Sequence, residues 1–357
     1  MSYKVIQWAT GNVGLHSLRA IIERPDFELV GLRTYDPKKV GIDAGVLAGL
    51  DPVGVLASDN EEELLGLEAD GVAYNSLGTT LDDYTQPVND IERLLASGKN
   101  VVTSAVDYYL YPRLLIGLAS NRDLDRLEEA CRVGNVSFYQ AGATPGFALD
   151  LWPLTMTRIS RRIDHIAVTE LVDLSTYTSA SVLRGYMGFA EPPEPLAPFM
   201  KQMIDVDNST YLLAIRMLSD ASHLGVESVK FSYEYGLTEK GYDSPVGRVE
   251  PGTVSAARTV YSGEKEGREV VNMSFVWRLT NDVRPDWPVG DGRWIVRIEG
   301  DPQIDTEVQV RTEFDTGRAT SIMTAMAALN GLPSVCAASP GVKSHLDLPA
   351  FGGGYAL

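Results

Sequence analysis

The opening two dozen residues restrict the fold more than any other stretch. Tyr3-Lys-Val-Ile-Gln-Trp8 is a short apolar run of strand character, Ala9-Thr-Gly11-Asn-Val-Gly14 is a turn of small residues, and Leu15–Arg24 has helical character. A strand that feeds a glycine turn which opens a helix is the βα unit of a parallel sheet. The first turn of such a helix offers backbone N–H groups with no intrahelical partner, and these attract a pyrophosphate. Gly11 would let the backbone approach the phosphates, and Gly14 would let the helix pack closely on the strand. Ala9 stands where many such turns carry glycine. Thr10, Gly11, Asn12, Val13 and Gly14 are therefore the candidate cradle for a dinucleotide. The plainer alternative is a βα turn that uses glycine for geometry alone.

The alternation continues to about residue 147. Phe27–Leu32, Val53–Ala57, Gly71–Tyr74, Asn100–Ser104 and Val136–Gln140 read as strands, and Glu61–Glu68, Asp90–Ser97 and Leu114–Arg132 as helices. Strands separated by helices imply right-handed crossovers and a doubly wound parallel sheet of Rossmann type, an α/β domain over residues 1–147. From Ile163 the texture changes. Asp164–Glu170, Glu227–Tyr235, Thr253–Ser262, Val270–Leu279, Trp294–Gly300 and Thr306–Glu313 are β-branched, aromatic and partly alternating. They predict a second, α+β domain with a largely antiparallel sheet over 148–318. Leu174–Asp207 reads as a long irregular excursion and Asn208–Leu224 as a helix; residues 319–357 hold a small-residue helix, Thr320–Leu329, and a Pro/Gly-rich tail. A chain of 357 residues has length for two such lobes.

A net charge of −17 argues against nucleic acid and against an anionic membrane surface, because both need a basic face. Cys131 and Cys336 are too few for a disulfide framework, and the four histidines show no metal-ligand spacing. No uncharged apolar run approaches ~18 residues, and the start lacks a signal-peptide core. A soluble, cytoplasmic, metal-free protein is expected.

In an open parallel sheet, ligands bind at the carboxyl ends of the strands. The polar and glycine-rich irregularities of the first lobe converge there: Gly11–Gly14, Arg33–Lys39, Asn75–Thr79, Thr103–Tyr111 and Gly142–Phe147. Arg33, Thr34, Tyr35, Lys38, Asn75, Ser76, Thr103, Ser104, Gly142 and Thr144 join the turn as cofactor-binding candidates. After the second strand, Arg33, Lys38 and Lys39 would suit a 2′-phosphate, and Thr34 leaves no carboxylate at the usual place, so NADPH is favoured. Asp36 keeps NAD open, and the lysines could equally belong to a solvated helix start. Asp107, a carboxylate among Tyr108, Tyr109 and Tyr111, is the candidate for proton chemistry. It could instead cap a local turn, and the tyrosines are alternative donors. His165 and His223 read as structural, Cys131 as core, and no nucleophile-elbow sequence occurs.

Trp8–Gly14, Asp36–Gly45, Asn100–Ser104 with Tyr111-Pro112, Gly142–Phe147, and the ending Asn330-Gly-Leu-Pro333 to Asp347-Leu-Pro349 together resemble the dihydrodipicolinate reductase-like superfamily. Within it the chain is most similar to 2,4-diaminopentanoate dehydrogenase and the native amine dehydrogenases. The resemblance implies NAD(P)H-dependent reductive amination of a small ketone or aldehyde with ammonia, and the reverse oxidative deamination. It also implies a homodimer, a sheet domain after the Rossmann lobe and a C-terminal helix returning to the first lobe. A true dihydrodipicolinate reductase carries a His-His pair that is absent here. Asp107 occupies the position of the family's catalytic glutamate, one methylene shorter, and Thr144 replaces an asparagine before Pro-Gly-Phe. The substrate pocket is expected to be small and apolar, in a cleft between lobes, lined by Tyr111, Phe147, Tyr177, Met187, Phe189 and Phe199. Two rivals make different predictions. A carbonyl or C=C reductase of the same fold would be indifferent to ammonium, and a non-catalytic NADPH sensor would bind without turnover.

Overall fold

The computed structural model describes residues 2–77, 84–116, 122–288, 290, 292–312 and 316–354. The chain forms two compact units, Met1–Phe147 with Ser321–Leu357, and Ala148–Thr320.

The first unit is built on a seven-stranded sheet. Its strands are β1 (Tyr3–Trp8), β2 (Phe27–Arg33), β3 (Ala57–Ser58), β4 (Gly71–Tyr74), β5 (Asn100–Thr103), β6 (Ser137–Gln140) and the last strand of the chain, β15 (Gly341–Lys343). They run in the order β15-β6-β5-β4-β1-β2-β3, and every pairing is parallel. The order reverses at β1, with β2 on one side and β4 on the other, which puts the topological switch point at the β1–β4 carboxyl ends. Helices α1 (Asn12–Glu23), α2 (Ala44–Leu47), α3 (Glu61–Gly66), α4 (Thr85–Ala96), α5 (Pro112–Leu115) and α6 (Arg122–Gly134) connect the strands. Strands covered on both faces are apolar throughout; Val5, Ile6, Trp8, Val72 and Val101 are all at 0 % exposure. The late helices α10 (Thr316–Leu329) and α11 (Leu332–Cys336) share this core, where Leu329, Leu332 and Val335 pack with Val5, Ala73, Val102 and Tyr139.

Three elements differ from expectation. β15 was not foreseen, because three residues after Pro340 carry no period. β3 is only Ala57–Ser58; Val53 and Gly54 are held instead by Asp43, whose carboxylate accepts their N–H groups at 3.0 and 2.7 Å. The expected helix Leu114–Arg132 is interrupted: α5 stops at Ile116, which is extended (φ −61°, ψ 121°), and α6 starts at Arg122, with 117–121 outside the described residues.

The second unit carries a six-stranded sheet in the order β14-β13-β7-β12-β11-β8. Its strands are β7 (Arg162–Asp173), β8 (Ser228–Leu237), β11 (Val254–Lys265), β12 (Arg268–Arg278), β13 (Arg293–Asp301) and β14 (Ile304–Gln309), and a small hairpin joins β9 (Tyr242–Ser244) to β10 (Gly247–Val249). All neighbours in the large sheet are antiparallel except β7 and β12. β14 ends at Gln309, and Glu313 lies outside the described residues. Helices α7 (Leu151–Thr157), α8 (Pro198–Ile204) and α9 (Thr210–Ala221) complete the unit. α9 lays Tyr211 on Phe275 at 4.6 Å between ring centroids. The excursion after β7 is less irregular than expected: a wide helical turn spans Ser181–Tyr186, and Pro198 starts α8 at a position where its missing N–H costs nothing.

Candidate active site

The turn after β1 shows why its residues are what they are. Ala9 holds φ 79°, the left-handed region that glycine occupies without strain. A Cβ on Gly14 would sit 2.4 Å from the carbonyl oxygen of Ala9, so only glycine lets α1 seat against the strand end. Gly11 is different. Its φ of −75° suits any residue, and a Cβ there would meet nothing within 4 Å. Neither conformation nor packing within the chain requires glycine at that position. Gly11 is also the N-cap of α1 and makes no side-chain cap. Asn12, Val13 and Gly14 therefore form a helix start beside an open space, the arrangement an anion needs.

Buried amides and hydroxyls brace this turn. Gln7, fully buried on β1, donates from Nε2 to the carbonyl of Ala9 at 2.9 Å and to Oδ1 of Asn75 at 3.1 Å. Asn75 passes the connection on, with Nδ2 donating to Oγ of Ser104 at 3.0 Å. One chain of bonds thus ties the ends of β1, β4 and β5 across the switch point. Gln7 was missed by sequence reasoning, although a lone amide in an apolar strand was the available signal. Lys39 Nζ donates to the carbonyl of Thr10 at 2.9 Å and contacts its hydroxyl at 3.2 Å, while the Lys38 side chain is exposed. The lysine at the turn is thus Lys39; Lys38 N–H closes a local turn on Asp36 Oδ1 at 3.0 Å.

At the end of β2, Arg33 lies over the Tyr35 ring at 4.4 Å from its centroid and donates to the carbonyl of Thr34. Thr34 is fully buried, its hydroxyl 3.3 Å from that of Thr10. Thr103 is likewise turned inward, accepting from Ala105 N–H at 3.0 Å. Ser76 is 8 % exposed and donates to its neighbour Leu77's carbonyl at 3.2 Å. These three hydroxyls serve the loops. After β6, Gly142 and Gly146 pack so closely that a Cβ on Gly146 would meet Gly142 N at 2.0 Å, with Thr144 half-buried between them. Gly78 and Thr79 of the β4 loop lie outside the described residues.

Asp107 begins a single 3-10 turn, Asp107–Tyr109, beyond β5. It is half-buried, and its Oδ1 accepts from the Tyr84 hydroxyl at 2.8 Å. Tyr84, just ahead of α4, was not anticipated; it is far from Asp107 in sequence and has no local motif. Of the neighbouring phenols, Tyr109 is core, edge-on to Phe138 at 5.9 Å, and burial pushes its phenol well up. Tyr111 is 2 % exposed, whereas Phe147 is 36 % exposed. The remaining pocket candidates belong to the second unit. Tyr177 is exposed, Met187 half-buried, and Phe199 packs on Trp277 at 5.2 Å and Tyr186 at 5.5 Å. Phe189, at 1 % exposure with its N–H bonded to Leu183 O, is buried within that unit.

A nicotinamide dinucleotide fits the first unit on the chain's own geometry. The start of α1 at Gly11 faces open space, and Oε1 of both Gln7 and Gln140 lies buried near the same strand ends without a hydrogen-bond partner. Comparison with known proteins agrees. Residues 147–353 match the 2,4-diaminopentanoate dehydrogenase C-terminal domain. An amine dehydrogenase from Streptomyces virginiae is 31% identical over 351 residues, 96% of this chain and 95% of that protein. A 4-hydroxy-tetrahydrodipicolinate reductase from Gloeobacter violaceus is 26% identical over 169 residues, only 47% of this chain and 56% of that protein. The structure of an amine dehydrogenase from Mycobacterium smegmatis shares the fold with a TM-score of 0.75 at 18% identity, over 99% of this chain and 97% of the other. By its near full-length relative and its matched C-terminal domain, the chain belongs to the amine dehydrogenase and 2,4-diaminopentanoate dehydrogenase family of NAD(P)-dependent oxidoreductases.

Proposed function

We propose that this protein is an NADPH-dependent amine dehydrogenase that condenses ammonia with a small ketone or aldehyde and reduces the product, and that runs the reverse deamination. The reading rests on one observation above others: a carboxylate, Asp107, is held by a phenol on the same strand-end rim as the uncapped start of α1.

Thr10 to Gly14 would hold the pyrophosphate, and Arg33 with Lys39 the adenosine end, where two cations favour a 2′-phosphate. When bound, the nicotinamide supplies or accepts a hydride. The protein's own part is electrostatic and protonic. A carbonyl condensing with ammonia passes through a cationic iminium, and an ionised Asp107 stabilises that charge where a neutral group would not. The same carboxylate can take a proton from ammonium, freeing the ammonia that attacks, and return it to the carbinolamine hydroxyl as that leaves as water. Tyr84 holds one carboxylate oxygen, which leaves the group fixed in direction. The chain is further read as a cytoplasmic homodimer; none of the helices among the described residues is long and apolar enough to cross a membrane.

The experiment is NADPH and NADH oxidation against a panel of small ketones and aldehydes, with and without ammonium. Strict ammonium dependence is expected. Turnover that ignores ammonium would assign a carbonyl or C=C reductase, and tight NADPH binding with no turnover on any compound would assign a sensor.

A further inference from the structure

Helix α4 carries a second carboxylate that the chemistry above does not use. Asp90 is 2 % exposed. Its Oδ2 accepts from the hydroxyls of Tyr35 at 2.7 Å and Tyr74 at 2.9 Å, and its Oδ1 accepts from Gln86 Nε2. Burying a carboxylate is costly unless its oxygens are bonded, and here both are.

The two phenols differ. Tyr74 is fully buried on β4 and stacks on Trp8 at 6.3 Å, an ordinary core role. Tyr35 is 46 % exposed. Its hydroxyl reaches inward and is fixed twice, donating to Asp90 and accepting from Trp8 Nε1 at 3.0 Å. Its ring stays outside, beyond the end of β2, with the Arg33 guanidinium 4.4 Å from the centroid. An exposed tyrosine would ordinarily sample several rotamers; this one is held at its hydroxyl before anything binds, which lowers the ordering cost for a ligand. The result is a flat, cationic-aromatic surface next to Thr34 and Lys39. Adenine rings stack on such planes, and the adenosine half of a dinucleotide lies at the end of the second strand.

We infer that Asp90 is a positioning residue for the adenosine half of the coenzyme: through the Tyr35 hydroxyl it fixes the Tyr35–Arg33 surface against which the adenine lies. This rests on the coenzyme reading above and extends it to a residue that never touches the ligand.

Fragment binding tests it. 2′,5′-ADP carries only the adenosine end, and reduced nicotinamide mononucleotide only the other. By calorimetric titration, Asp90→Asn and Tyr35→Phe should each weaken NADPH and 2′,5′-ADP by the same factor, roughly tenfold. Both should leave the mononucleotide within about twofold. Tyr74→Phe removes the other phenol from the same carboxylate; it should lower the melting temperature yet leave 2′,5′-ADP binding within about twofold. Unchanged 2′,5′-ADP affinity in Tyr35→Phe, or equal weakening of both fragments, would overturn the inference and make the network a fold support. Tyr35→Phe decides alone if Asp90→Asn does not fold. A wild-type protein that binds neither NADPH nor either fragment would remove the coenzyme reading itself.

Discussion

The hydroxyl of Tyr84 donates to Oδ1 of Asp107 at 2.8 Å, joining a residue just ahead of α4 to the turn beyond β5. An anchored carboxylate keeps a defined direction, which proton transfer requires. Asp107→Asn should therefore reduce kcat by about 100-fold or more, the usual weight of a general acid–base group. Tyr84→Phe keeps the carboxylate and loses the phenol's hydrogen bond to it, so a smaller fall, roughly tenfold, is expected. The KM for NADPH should not move in either variant. Wild-type kcat in Tyr84→Phe would show the tether to be irrelevant.

Gly11 and Gly14 should respond oppositely to alanine. At Gly14 the new methyl would press on the backbone of Ala9, which cannot rotate away, and overpacking of that kind costs about 2–3 kcal/mol. At Gly11 the methyl enters open space with φ at −75°, so folding stability should stay within about 1 kcal/mol. Coenzyme affinity should show the reverse emphasis, with Gly11→Ala stable but binding NADPH poorly. Urea denaturation and a fluorescence titration on the same two variants read both quantities; intact binding by Gly11→Ala would mean the cradle lies elsewhere.

Those two glycines also mark what a sequence can reveal. The βα turn, the parallel alternation and the meander after Ile163 were legible because each is a local pattern: period, small-residue turn, β-branched run. The rim itself was legible because parallel strands place their carboxyl-end loops together whatever the loops contain. Which side chain of a loop turns toward the β1 turn was not legible. Lys38 and Lys39 are adjacent, yet it is Lys39 whose ammonium reaches Thr10, while Lys38 N–H bonds to Asp36. Partners such as Gln7 with Asn75 and Tyr84 with Asp107 are set by tertiary approach between separate βα units, which leaves no mark in either segment. β15 was hidden for a related reason: a three-residue edge strand exists only because β6 is there to pair with it.

The two lysines can be told apart by coenzyme choice. Lys39 is tied to the β1 turn, and an ammonium there would meet a 2′-phosphate but gain little from a 2′-hydroxyl. Lys39→Ala should weaken NADPH roughly tenfold and NADH by less than about twofold. Lys38→Ala should alter neither. An equal loss for both coenzymes would mean that Lys39 only supports the turn through Thr10.

Alkaline pH should destabilise the second unit in a defined window. Burial pushes the phenols of Tyr235 and Tyr261 up to about 12. Tyr261 also donates to the Met203 carbonyl at 2.7 Å. An unfolded phenol titrates near 10, so between about pH 10 and 12 the folded state holds protons that the unfolded state has lost. Their contribution to stability is thus full below pH ~10 and disappears as pH rises through the folded value. Absorbance at 295 nm should show a subset of the 16 tyrosines silent until circular dichroism reports unfolding. Complete ionisation near pH 10 with native dichroism would contradict this.

Glu170 offers the sharpest stability test in the second unit. It is 5 % exposed on β7, and its two oxygens each accept an indole N–H, from Trp277 at 2.9 Å and from Trp294 at 2.8 Å. Two donors on neighbouring strands need two acceptors, and a carboxylate is the side chain that supplies both at that spacing. Glutamine has the same shape but presents an NH2 on one side, so one indole would face another donor. A buried donor left unmatched costs about 1–3 kcal/mol, and Glu170→Gln should lower the urea midpoint accordingly. Glu170→Leu strands both indoles and should cost more, although leucine is the more apolar residue. That ordering, Glu above Gln above Leu, is the reverse of what burial of apolar surface alone predicts, and it can be read from tryptophan emission during unfolding. If leucine proved the most stable, the carboxylate would not be what holds the two strands' tryptophans in place.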